Sequence, residues 1–250
     1  MHKTAMLAAS LVALAFAALP AVAAATYPDP YLADETGDPI TGKPTFTMES
    51  EGPPTFTTSH TPAFQCEKTI GEGQFTSPET GVIQLHFEEC TTIFSLPCTS
   101  EGQEGGDVTT TELPFHLKTV DHEGEQTPGV LITPGQGETE HGAHFATLSC
   151  PFVGEVVVGG TSESEPYAGI VGTITDPIEK EPSNTATISF ESEEPGVQTH
   201  RTVTNDEEET VEYDTKSSIG GSETTTSARD GQVVLTFVDG KKRQILTTEE

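Results

Sequence analysis

Between Ile83 and Glu88 the chain alternates without a break. Ile83, Leu85 and Phe87 fall on one side, and Gln84, His86 and Glu88 on the other. Only an extended strand converts a period of two into one apolar face, because successive Cβ atoms of a pleated strand point to opposite sides. The same logic recurs in Thr45-Phe-Thr-Met48, Thr55-Phe-Thr57, Phe115-His-Leu117 and Ala186-Thr-Ile-Ser-Phe190. Thr, Val and Phe suit a pleated, half-buried surface. Beyond the first 25 residues no stretch carries the period of an amphipathic helix. The sequence therefore predicts an all-β protein, a disulfide-bonded antiparallel sandwich or barrel.

The punctuation between these runs agrees. Glu101-Gly-Gln-Glu-Gly-Gly106, Pro134-Gly-Gln-Gly137 and Gly159-Gly-Thr-Ser-Glu-Ser-Glu-Pro166 are spaced as loops joining many short strands. Val233-Val-Leu-Thr-Phe-Val238, then Asp239-Gly240, then Lys241 to Thr247 predicts a hairpin, since Asp-Gly suits a tight turn with positive φ. Asp176-Pro-Ile-Glu-Lys-Glu-Pro-Ser-Asn184 carries two prolines and four charges. It reads either as a boundary between a disulfide-bearing β domain over 44–182 and a C-terminal β module over 183–250, the two sharing an interface, or as a long sheet-to-sheet crossover within one domain. Residues 26–43 include Tyr27-Pro-Asp-Pro-Tyr31, lack periodicity, and read as a flexible leader.

Residues 1–25 have the layout of a cleaved signal peptide: Met1-His2-Lys3, an apolar run from Ala5 to Ala18, a break at Leu19-Pro20, and small residues at Ala23-Ala24-Ala25. The run is too short for a membrane span, so no membrane insertion is expected after cleavage. The location expected is secreted, extracellular or associated with the cell envelope. Loss of Lys3 leaves 10 Lys and Arg against 40 Asp and Glu, a formal charge of −30. Such a field repels phosphate backbones, which excludes nucleic acid as a partner. The acidity reads first as solvation, and second as a docking face for a basic partner or a divalent cation.

Four cysteines in an exported chain predict two disulfides. With Ser77-Pro-Glu-Thr80 as a hairpin loop, Thr76 faces Gly81, and Cys66 falls within one residue of the position opposite Cys90. A bulge absorbs that offset. Cys98 then pairs with Cys150. No two cysteines stand at metal-knuckle spacing.

Chemistry is harder to find. His141-Gly-Ala-His144 is the one close histidine pair, and it chelates only from a loop, because positions three apart on a strand face opposite ways. Asn205-Asp-Glu-Glu-Glu209 is the densest acidic patch and reads as a solvated turn. No calcium loop of alternating acids is present, and 30 of the 40 acids are Glu. Glu88 and Glu89 are adjacent, so on a strand they do not act as an acid–base pair. No nucleophile elbow, zinc-protease helix or phosphate loop occurs. No catalytic residue and no cofactor is assigned. The 11 phenylalanines beyond the first 25 residues stand at core-like positions rather than as sugar platforms.

Cys66, Gly81-Val82 to Phe87, Cys90, Pro97-Cys98-Thr99-Ser100 with Gly102, Thr111-Glu-Leu-Pro114, Pro128-Gly-Val130, Phe145 with Cys150, and Gly172 with Ile174 form a pattern. It continues through Ala186 to Phe190, Gly196-Val-Gln198, Gly220-Gly-Ser222 and Val234-Leu-Thr-Phe237. The pattern resembles a group of uncharacterised secreted β-rich proteins from high-GC soil actinobacteria, over roughly residues 60–238. The resemblance implies export and a β fold, and brings no activity. The function expected is a non-enzymatic structural or binding protein at the envelope or outside the cell. The alternatives are a secreted hydrolase with a glycosidase-like carboxylate pair and a calcium-dependent adhesive domain.

Overall fold

A computed structural model describes residues 29–59, 64–92, 94–122, 124–135, 143–159, 167–176, 181–204, 209–220 and 225–247. Among them there is no helix, so none is long and apolar enough to cross a membrane. The strands are β1 (Tyr31–Asp34), β2 (Thr45–Ser50), β3 (Thr55–Thr58), β4 (Phe64–Gln65), β5 (Lys68–Phe75), β6 (Thr80–Glu88) and β7 (Thr91–Thr92). Then come β8 (Val108–Thr109), β9 (Leu113–His122), β10 (Glu125–Ile132), β11 (Ala146–Cys150), β12 (Gly154–Val158), β13 (Tyr167–Ala168) and β14 (Ile170–Asp176). The last are β15 (Thr185–Phe190), β16 (Ser192–Glu194), β17 (Val197–Gln198), β18 (Thr202–Thr204), β19 (Thr210–Ile219), β20 (Thr225–Phe237) and β21 (Arg243–Leu246).

Eight antiparallel ladders form a circuit: β2 to β5, β6, β9, β10, β14, β15, β20 and back to β2. A ring of eight strands is just wide enough for side chains to fill it. Phe46, Phe75 and Phe115 do so, meeting edge to face with centroids 5.1 to 5.8 Å apart. Each such contact is worth about 0.5–1.5 kcal/mol beyond area burial. The alternation in β6 is as read, with Ile83, Leu85 and Phe87 all buried.

A second antiparallel sheet runs β11, β12, β19, β20, β3, β4, β7. Its ends approach through single bridges, Thr91 with Pro97 and Thr99 with Ser149. The long β20 belongs to both assemblies. Its residues Ser227–Asp230 pair with β3, and beyond Gly231 it pairs with β2 and β15. Gly231, at φ 136°, takes the change of direction that a side chain disfavours.

The subdivision differs from the sequence reading. Two β assemblies exist, but the 182/183 boundary does not separate them, because β20 completes the ring begun by β2. One core cluster holds Phe46 and Phe115 together with Ile188 and Phe237. The 26–43 leader also differs. It contains β1, which pairs with β21, and its Leu32 and Ala33 are 1% and 0% exposed. This two-stranded cap puts Leu32 and Ile245 over one mouth of the ring. The expected 233–247 hairpin turns at Gly240 but does not pair back. Both edges of β20 are already taken there, so the returning arm crosses to β1 instead.

Candidate functional site

Cys66 is bonded to Cys90, and Cys98 to Cys150. The β5–β6 register pairs Phe75 with Gly81 and Lys68 with Glu88. This is one residue off the expected register, and it sets Cys66 opposite Cys90 with no bulge needed. All four cysteines are buried. His144 is buried at 3% exposure, while His141 lies outside the described residues. Of the acidic patch, only exposed Glu209 is described. Glu89 leaves the strand with φ 52°. Among the described residues no three His, Cys, Asp or Glu are grouped to hold a metal ion.

One hydroxyl–imidazole–carboxylate row occurs on the β6–β8 pair. Thr109 Oγ1 lies 2.9 Å from His86 Nδ1, and His86 Nε2 lies 3.7 Å from Asp107 Oδ2. Asp107 also accepts from the Glu89 N–H at 3.2 Å, so it pins that turn. The three residues line neither the cavity at the ring mouth nor the recess described below. The row is a cross-strand clasp.

The surface holds a sharper anomaly. Nine of the 11 phenylalanines are buried, but Phe94 is 72% and Phe152 98% exposed. Both stand on loops beside the Cys98–Cys150 bridge, and Phe94, Val153 and both cysteines line one small recess. Phe152 follows Pro151 in a turn closed by Val153 N–H donating to Cys150 O at 3.2 Å. Its φ is +64°, the value that the third position of a type II turn requires and that glycine normally supplies. A bulky side chain there costs about 1–2 kcal/mol. Ser95 beside Phe94 is also left-handed, at φ +56°. Sequence reasoning placed both phenylalanines in the core. The available signal was a Phe between proline and glycine, in Pro151-Phe-Val-Gly154.

The interior holds a second anomaly. Arg229 of β20 is 3% exposed and points among phenylalanines, its guanidinium carbon 4.5 Å from the centroid of Phe190 and 5.6 Å from that of Phe87. Among the described residues its Nε and Nη2 have no hydrogen-bond partner. Burial pulls its pKa down to about 10, so it stays a cation at neutral pH. Composition gave no hint of it, because the residue stands mid-strand in Thr226-Ser-Ala-Arg-Asp230.

No family model, no curated protein and no solved structure matches the chain.

Proposed function

We propose that this chain is a secreted, non-catalytic binding protein working at the cell envelope or outside the cell. It grips an apolar surface with a basic rim through Phe94 and Phe152. The observation that supports the reading is Phe152, held 98% exposed in a backbone conformation that suits glycine. Strain of this kind collects at binding and switch sites, and a large aromatic side chain is the usual anchor of an interface. The basic rim follows from charge. No Lys or Arg occurs between Lys68 and Lys118, nor between Lys118 and Lys180, the stretches that carry both loops. Exposed Glu101, Glu104 and Glu155 lie in them. Complementary charge steers such a partner in and disfavours an anionic lipid surface. The kinship with secreted actinobacterial proteins belongs to the same proposal.

The test compares wild type with Phe94→Ser/Phe152→Gly in co-sedimentation with washed envelopes of the producing cells. Phe152→Gly alone should leave the melting temperature unchanged or raised, since it relieves the left-handed strain. Wild type should sediment saturably and release as salt rises, while the double variant stays in the supernatant. Equal sedimentation of the two proteins would remove the aromatic loops from the reading.

A further inference from the structure

Lys118 is the one Lys or Arg between Lys68 and Lys180, and it stands on β9. Leu113, Phe115 and Leu117 of that strand are buried in the ring, so Lys118 takes the outer face, where a lysine ordinarily reaches water. The N-terminal segment covers it instead. Leu32 N–H donates to Pro78 O at 2.8 Å, which lays residues 29–34 across the β5–β6 turn. Asp29 Oδ2 then meets Lys118 Nζ, although 89 positions separate the two residues. The Lys118 and Asp29 side chains are only 16% and 8% exposed. Glu79 belongs to the same turn. Its carbonyl accepts from the N–H of Leu117, the residue before Lys118, at 2.7 Å, and its Oε1 is buried.

A buried ammonium–carboxylate pair has lost the hydration that keeps both groups charged, which brings the neutral amine and acid within reach. A neutral amine is a nucleophile, and a protonated carboxyl is its electrophile. Groups held in contact by a fold act at effective concentrations of about 10⁵–10⁸ M, which favours a condensation that free amine and acid do not complete in water.

We propose that Lys118 and Asp29 close into an intramolecular amide between Lys118 Nζ and Asp29 Cγ, with Glu79 as the proton carrier. One ammonium proton passes to the Asp29 carboxylate, and the free amine attacks Cγ. The nitrogen then gives a second proton, through Glu79, to the departing hydroxyl, which leaves as water. One C–N bond forms, one C–O bond breaks, and nothing is oxidised or reduced. The amide fastens β1, a strand of four residues, to the ring independently of its pairing with β21. The site is separate from the aromatic loops, so either reading stands or falls without the other.

The experiment is mass spectrometry of the purified protein, intact and after digestion, beside Lys118→Arg. Arginine keeps the ion pair and removes the amine nucleophile. Wild type should be lighter by one water than the mass expected from its N-terminus onward, and its digest should contain a branched peptide joining residues 29 and 118. Lys118→Arg should have the full mass and no branched peptide. A wild type at full mass would overturn the proposal. So would a water loss without the branched peptide, as a succinimide at Asp230-Gly231 or Asp239-Gly240 would give. Glu79→Gln, recovered with both disulfides intact, should carry the full mass, and a variant linked as completely as wild type would remove Glu79 from the step. Should Lys118→Arg fail to fold, the presence or absence of the branched peptide in wild type decides alone.

Discussion

Arg243 shows how one side chain can serve two environments. Its guanidinium donates to both Asp239 oxygens, at 2.9 and 2.7 Å, while its carbon lies 4.3 Å from the Phe237 centroid at the mouth of the ring. The bidentate contact holds the Asp239 carboxyl at about 2, down from 3.8, with burial pulling weakly the other way. A carboxyl depressed on folding stabilises the protein above its unfolded pKa and loses that contribution as pH falls through 3.8 toward 2. Asp239→Asn should therefore lower the urea midpoint at about pH 6, and the gap from wild type should close by about pH 2. A gap that persists in acid would mean that the pair acts through shape rather than charge. Asp214 runs the opposite way. Burial raises its carboxyl, only partly offset by the Thr215 N–H it accepts at 2.9 Å, so its contribution favours folding in acid and is lost as pH rises.

Among elements, the ring strands depend on aromatic rings lying over bare backbone. A Cβ on Gly81 of β6 would stand 2.3 Å from Phe115 Cζ and 2.5 Å from the Gln74 carbonyl. Gly73 of β5 meets Phe46 in the same way, at 2.3 Å. Gly81→Ala should cost about 1–3 kcal/mol in urea unfolding, because rigid backbone and a packed ring both resist the added carbon. Gly42→Ala, with nothing within 4 Å of the new atom, is the control and should change little. The alternation of β6 was legible because its neighbours in the ring lie nearby in sequence and its inner face is fully apolar. The 233–247 hairpin misled because local turn chemistry carries no information about edges already occupied. β1 escaped notice for a related reason: four residues give no period, and their partner in β21 lies some 210 residues on, as Tyr31 with Leu246 shows. Phe94 and Phe152 were read as core because hydrophobicity alone does not reveal a left-handed backbone. Arg229 escaped because nothing in its neighbours marks a buried charge.

Across the whole molecule, one disulfide sits where ring and second sheet meet, and the other closes the gap between the ends of the second sheet. Cys66 lies between β4 and β5, and Cys90 between β6 and β7, the points at which both chains pass from one assembly to the other. Cys98 and Cys150 fasten the Pro97–Thr99 segment to β11. Their sequence separations are 24 and 52 residues. The chain-entropy view then makes the second bridge worth about 0.7 kcal/mol more than the first. Cys98→Ala/Cys150→Ala should unfold at lower denaturant than Cys66→Ala/Cys90→Ala. The reverse order would show that native packing around Cys66 outweighs the freedom restored to the unfolded chain.

The position of β20 bears on the order in which the chain acquires its structure. A polypeptide emerging N-terminus first holds β2, β3, β15 and β19 without a shared neighbour until residues 225–237 appear, and β1 waits longer still, for 243–246. Pairings of such long span are slow to form. Hairpins such as β5–β6, β9–β10 and β11–β12 need no distant partner, but neither sheet is complete until β20 joins it.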